Sequence, residues 1–256
     1  EKTVFLDERL LNTPALAIDE CFELTCKMAE LSRTSIKKAI DVIDNYDEKV
    51  IEEIDELETL TDRYEDKLGT FLVKLSAKTL SGKEGHIIGR MLHTIGDLER
   101  IGDHAENISM VAKELHEKGI SFSENAKKEI KVITNAINEI VDLTTDSFIK
   151  NDKQTASLVE PLEQVIDTLR ADIQARHIAR VQKGECTVEL GFVLTDLLGN
   201  YERVSDHCSN IAVYTVQLET KQLDAHKYLR GLHAGQNPEF VERFNEYEHK
   251  YSLPSG

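Results

Sequence analysis

The chain has no tryptophan, only 4 prolines, 13 glycines and 6% aromatic residues. That scarcity argues against a sheet protein, which spends aromatics on its faces and Gly and Pro on its turns. No apolar run approaches the length needed to span a bilayer, and the N-terminus lacks a signal-peptide layout, so a soluble, cytosolic chain is expected. Cys21, Cys26, Cys186 and Cys208 form no Cys-x-x-Cys pair, and Cys21 and Cys26 share no helix face well. Their spacing fits neither a zinc site nor a disulfide framework, leaving small, mostly buried thiols in a reducing compartment. Catalytic signatures are missing too. There is no Gly-rich phosphate loop, no Gly-x-Ser-x-Gly elbow and no His-Glu-x-x-His helix. Asp103-His104 runs in the wrong order for a His-Asp metal phosphohydrolase, and Glu246-x-x-His249 stands alone where a di-iron bundle needs two such motifs and two further glutamates. No enzyme is expected.

What the chain has is charge and helix periodicity. Its 47 acidic and 31 basic side chains give a formal net charge of -16, with 30% charged and 40% hydrophobic residues over 256 positions. Such a field repels nucleic acid, anionic lipid and free phosphate, and attracts cations. Most of these carboxylates need no explanation beyond a solvated surface.

Thr13-Pro14 reads as a helix start, with Thr13 capping and Pro14 at the first helical position. The apolar pattern Leu16, Cys21, Leu24, Met28, Leu31, Ile36, Ile40, Ile43 carries that helix to Asn45. A second helix is expected from about Asp47 to Ala77 on the seam Ile54, Leu57, Thr61, Tyr64, Leu68, Phe71, Leu75. After a break at Ser81-Gly82 a third runs from about Glu84 to Lys118 and stops at Gly119. The order then restarts: Ser123 caps a helix to about Lys150, another spans about Asp152 to Gln182, and after Gly184 a last one spans about Thr187 to Lys221. Short breaks between long helices make antiparallel neighbours, so the expected fold is all-α, two tandem three-helix bundles. The expected units are a lead-in over 1–14, bundles over 15–120 and 121–221, and a tail over 222–256 with one short helix.

The two halves are copies. IGDLERIGDHAENISMVA aligns with LGNYERVSDHCSNIAVYT, so that Glu99, Arg100, Asp103, His104 and Asn107 meet Glu202, Arg203, Asp206, His207 and Asn210, each pair 103 positions apart (99 to 202). Residues four apart share a helical face, so Glu99, Asp103 and Asn107 form one oxygen-rich strip and Glu202, Asp206 and Asn210 another. On a helical wheel each strip lies opposite its apolar seam, on the outside of the bundle. Asp55, Asp62 and Asp66, with Glu58 nearby, line the second helix; Glu160, Glu163 and Asp167 line the fifth, where Ala171 takes the place of Asp66. Carboxylate and amide oxygens on neighbouring helices can bracket a hard cation such as Mg²⁺, Mn²⁺, Ca²⁺ or iron. A solvated helix face explains any one strip; duplication of the whole ladder is what brings a metal site forward. The candidate donors are Glu99, Asp103, Asn107, Glu202, Asp206 and Asn210, joined by Asp55, Asp62, Asp66, Glu160 and Asp167. His104 and His207 lie nearer the seam and suit core or capping roles better than ligation. Arg100 and Arg203 suit intrahelical ion pairs, and His86, His93 and His177 stand alone.

LERIGDHAENI and YERVSDHCSNI closely resemble the paired signature of the PhoU family of phosphate-uptake regulators, whose motif is Glu/Asp-x-x-x-Asp. The resemblance spans all six helices. It implies two three-helix bundles with metal clusters on their surface, of iron or another divalent cation such as zinc, manganese or magnesium, held at Glu99, Asp103, Glu202 and Asp206. LDERLLNTPALAIDE and GECTVELGFVLTDLLGNYERVSDHCSNIAVY further resemble the cytoplasmic PhoU-like region of bacterial sodium/phosphate cotransporters. That implies a non-catalytic regulatory domain at the inner face of the membrane. Its partners would be its own transmembrane portion and metal ions, with inorganic phosphate and a second copy of the chain as further candidates and no nucleic acid. Two other readings stay open: a free-standing PhoU-type regulator of a phosphate ABC transporter and its sensor kinase, and a metal-free helical scaffold. A carboxylate-metal hydrolase is a remote fourth.

Overall fold

The computed structural model describes residues 4–216 and 237–255. After a 3₁₀ turn at Glu8–Asn12 come α1 (Pro14–Asp44), α2 (Glu48–Ser76), α3 (Gly82–Lys118), α4 (Glu124–Lys150), the single turn α5 (Lys153–Ala156), α6 (Val159–Gln182), α7 (Val188–Val216) and α8 (Pro238–Lys250). There is no strand among the described residues. Local chemistry sets most boundaries. Pro14 sits in the first turn of α1, but the Thr13 hydroxyl makes no capping bond, so the expected cap is absent. The Ser81 and Ser123 hydroxyls accept from the Glu84 and Ala126 amides, capping α3 and α4. Gly119, at φ 61, closes α3 in the left-handed conformation that glycine enters without penalty. The helix expected over 152–182 is broken at Ser157–Leu158. Pro161 explains it, because its ring cannot lie against the carbonyl four residues earlier.

α1, α2 and α3 pack on one another, as do α4, α6 and α7. This is the expected pair of three-helix bundles. α2 follows its seam closely: Ile54, Thr61, Leu68, Phe71 and Leu75 are buried, with Leu57 and Tyr64 half-buried. α1 departs at its start, where Ala17 and Ile18 face the core and Leu16 is exposed. Each large apolar side chain so buried contributes about 1.5–3 kcal/mol before the entropy of ordering it.

The bundles meet along α3–α7, with α1 and α4 beside them. Arg33 spans that second seam to Asp146 at 2.8 Å, and Lys37 reaches Asp142 at 2.8 Å. The buried Tyr201 hydroxyl bonds Thr134 at 3.0 Å inside the second bundle. Of the expected tail, α8 lies against α6, burying Tyr247 and Tyr251. Lys250 pairs with Glu139 at 2.8 Å and Arg176 donates to the Pro254 carbonyl at 2.7 Å. The expected continuation of the last repeat helix over 217–221, and the tail over 222–236, lie outside the described residues. No described helix is long and apolar enough to cross a membrane.

Candidate metal centre

α3 is packed by α1, α2 and α7 together, so it buries residues over most of its circumference. The wheel had set the acidic ladder opposite the seam. In the structure it does not lie on the outside: Glu99 and Asp103 are half-buried in the furrow between α3 and α2, and Glu202 and Asp206 in the furrow between α7 and α6.

The second furrow is the more gathered. Oxygens of Glu163, Asp167 and Asp206 all lie within 4.8 Å of one another, the one such triad among the described residues. Oxygens around one divalent ion, each 2.0–2.6 Å from it, span about that separation. Glu163 is 8% exposed. Burial first, then the charges of Glu160, Asp167 and Asp206, drive its carboxyl well above the ordinary range. Asp167 and Asp206 are raised as well, again by burial first and by neighbouring acids next. Glu160, also buried, accepts a hydrogen bond from Ser209. Glu202 is paired with Arg170 at 2.8 Å, a charge contact in which the Arg170 Nε–H is not aimed along a hydrogen bond.

The first furrow carries more acid and no such gathered triad. Burial raises the Glu99 carboxyl to about 7, with Asp103, Glu65 and Asp62 adding to the shift. Glu58 is raised by burial and by Glu106, Asp103, Asp62 and Asp55; Glu106 by burial, Asp55 and Asp103. Asp66 stands exposed at the rim, acting on Glu65. The furrow thus holds Asp55, Glu58, Asp62 and Glu65 from α2 facing Glu99, Asp103 and Glu106 from α3.

Aligning the furrows at the spacing that pairs Asp66 with Ala171 matches Asp55 with Glu160, Glu58 with Glu163 and Asp62 with Asp167. It also sets Glu65 against Arg170, and the α3–α7 alignment sets Glu106 against Ser209. Glu58, Glu65, Glu106 and Glu163 were not among the sequence-derived donors. Glu58 and Glu163 do lie on the acidic strips read from the sequence, though outside the donor set drawn from them. Several carboxylates at close range with raised pKa values are relieved either by holding protons or by a cation, and the donor set is the oxygen-only kind that hard cations take.

The two asparagines do not complete the ladders. Asn210 turns across the bundle interface to donate to Asp97 at 3.2 Å, and Asn107 is exposed with no hydrogen bond among the described residues. Asp97 also pairs with His207 Nδ1 at 2.9 Å, while His104 Nδ1 meets Asn200 Oδ1 at 2.8 Å. Asp97 and Asn200 are equivalent positions in the repeat. The two contacts are therefore one interaction made twice across a pseudo-two-fold, with the imidazoles stacked 5.6 Å apart between them. This is the structural role expected of His104 and His207. Arg100 and Arg203 are exposed and make no ion pair among the described residues, so the intrahelical pairing expected of them is not found.

The family model described as PhoU domain matches this chain twice, over residues 25–112 and 130–215. The phosphate-specific transport system accessory protein PhoU homolog 1 of Thermotoga maritima is 27% identical over 213 residues, covering 82% of this chain and 89% of that protein. The PhoU homolog of Aquifex aeolicus is 25% identical over 219 residues, covering 83% and 96%. Among solved structures, PhoU from Pseudomonas aeruginosa superposes with a TM-score of 0.73 at 20% identity, covering 81% of this chain and 97% of that one. The phosphate transport system regulatory protein PhoU from Streptococcus pneumoniae gives a TM-score of 0.73 at 18% identity, covering 82% and 98%. At these identities the structural likeness speaks for the fold.

Proposed function

The chain belongs to the PhoU domain family, and from that premise we propose that it is a metal-loaded regulator of phosphate transport that acts by binding a transport partner. The relatives are named as accessory proteins of a phosphate-specific transport system, which supports regulation over turnover. The observation that carries the metal reading is the Glu163–Asp167–Asp206 triad, whose oxygens converge within 4.8 Å with Glu163 buried.

Glu163, Asp167 and Asp206 would hold a divalent ion, with Glu160 and Glu202 beside them. In the first furrow Glu58, Asp62, Glu99 and Asp103 would do the same, flanked by Asp55, Glu65 and Glu106. A bound cation would supply positive charge on the surface of an acidic protein, where a phosphate or a partner's anionic group could dock. The protein's part is to hold the carboxylates at close range in a rigid furrow and to keep the two furrows in fixed relation through the Asp97–His207 and Asn200–His104 contacts.

A PhoU-type adaptor for a phosphate ABC transporter is favoured by the relatives' names. The cotransporter-domain reading rests on the sequence resemblance of LDERLLNTPALAIDE and of the last repeat helix. The lead-in turn is tied to α2 by Glu8–Lys74 at 2.5 Å, and α8 is docked on α6. Gene sequence upstream of Glu1 separates them: several apolar spans favour the cotransporter, an adjacent start codon the adaptor. Regulation itself is tested by radiolabelled phosphate uptake in the parent bacterium. Deleting the residues for this chain should leave uptake several-fold higher in phosphate-replete medium; unchanged uptake and unchanged expression of transport genes would overturn the reading.

A further inference from the structure

Among the described residues, one buried cation has no counter-ion. Arg90, on α3, is 9% exposed, its Nε has no hydrogen-bond partner, and its guanidinium makes no ion pair among the described residues. Other arginines that approach burial are matched: Arg33 by Glu30, Asp142 and Asp146, Arg176 and Arg180 by the buried Glu129. Leaving a buried guanidinium Nε–H without an acceptor costs stability. Burial alone pulls its pKa down to about 10.

Its position follows from the α3–α7 register. Arg90, Asp97 and His104 lie seven residues apart on one stripe of α3. Asp97 meets His207 and His104 meets Asn200, so α7 runs antiparallel, and one further step places Arg90 level with Tyr214. The ring of His93, one turn along α3, stacks on Tyr214 at 4.9 Å. Asp97 lies about 10 Å further along the axis and is spent on His207 and Asn210. Upstream on α3 stand Lys83 and His86, with Glu84 as the only acid before Asp97 and engaged by Ser81 at 2.9 Å. Along α3 itself this stretch is basic, on a protein of net charge -16.

We propose that Arg90 anchors a binding site for a tetrahedral oxyanion of the phosphate type at the α3–α7 seam, beside the stacked His93–Tyr214 pair. The planar guanidinium offers two parallel N–H groups to two oxygens of one anion, a fit that a point charge lacks. The site is separate from the acidic furrows and needs no metal, so it goes beyond the proposed metal reading and stands or falls apart from it.

The test uses the full chain stripped with EDTA and melted at constant ionic strength in chloride, sulfate and inorganic phosphate. Phosphate should raise Tm saturably, by about 5 °C at a hundredfold excess over Kd. Sulfate, of the same shape, should act alike. General salting-out raises Tm without saturating and in every variant. Arg90→Met should abolish the saturable rise while melting no lower than wild type in chloride, because it removes an unpaired buried charge. Absence of a saturable rise in wild type, or its survival in Arg90→Met, overturns the proposal. Should that variant not fold, the Arg90 Nε–Hε resonance of wild type is followed by NMR during phosphate titration. A saturable displacement supports the site and an unmoved resonance overturns it.

Discussion

Replacing Arg170 by glutamine should tighten cation binding in the second furrow. The first furrow brings together seven carboxylates, Asp55, Glu58, Asp62, Glu65, Glu99, Asp103 and Glu106. The second has five, Glu160, Glu163, Asp167, Glu202 and Asp206, and shares them with the Arg170 guanidinium 2.8 Å from Glu202. Arg170 stands where the first furrow has Glu65, so a fixed positive charge occupies a place that is negative in the other copy. One side chain separates it from the triad. A divalent ion about 7 Å from the guanidinium would feel a repulsion of ~5 kcal/mol at an effective dielectric of ~20 and ~1 kcal/mol in water. The Arg170 side chain is 38% exposed, which sets the value nearer the lower limit, about 2 kcal/mol, or about thirtyfold in affinity. The assay is Mn²⁺ titration calorimetry on chelator-stripped protein in a Glu99→Gln, Asp103→Asn background, where only the second furrow remains intact. An Arg170→Gln affinity within twofold of the background would refute the argument that this charge limits the site. The mirror change, Glu65→Gln, should weaken the first furrow in a Glu163→Gln, Asp206→Asn background.

Chelator-stripped protein should lose stability as pH rises. Glu99 titrates near 7 in the folded state against an ordinary 4.5, so the folded chain holds the extra proton between those values and stability falls through that window. The full shift corresponds to ~3 kcal/mol, reduced to about 1–2 kcal/mol for a half-buried group; urea midpoints at pH 5 and pH 7.5 measure it, and saturating Mn²⁺ should flatten the slope. Glu129→Ala should cost about 3–5 kcal/mol in urea unfolding, because it strands Arg180, which grips Glu129 at 2.9 and 3.1 Å, and takes a partner from Arg176. A loss below 1 kcal/mol would show that the pair is solvated in solution.

The bundles were readable because apolar periodicity and breaker residues agree along the chain, from the α2 seam to Gly119. The break after α5 was missed because Pro161 acts four residues upstream of itself. The carboxylates were readable through duplication, but their depth was not: a wheel places residues on one helix, and the half-burial comes from the furrows with α2 and α6. Asn107 and Asn210 shared the ladder spacing, yet a side chain at the end of a strip can turn to another helix, as Asn210 does toward Asp97. The Glu65–Arg170 exchange sat one residue from the noted Asp66–Ala171 difference. A missing acid was visible in the alignment; an added base beside it matters only once Glu202 is seen to be its partner. Arg90 left no signal, because nothing in a sequence marks an arginine whose counter-ion is absent.

The account turns on whether the furrows hold metal. Full chain purified without chelators, dialysed to equilibrium against Mn²⁺ and assayed by elemental analysis, should carry at least one ion per furrow. Glu163→Gln with Asp206→Asn should remove the second furrow's share, and Glu99→Gln with Asp103→Asn the first's. Metal-free wild type under these conditions, or full loading in a protein carrying all four substitutions, would contradict it.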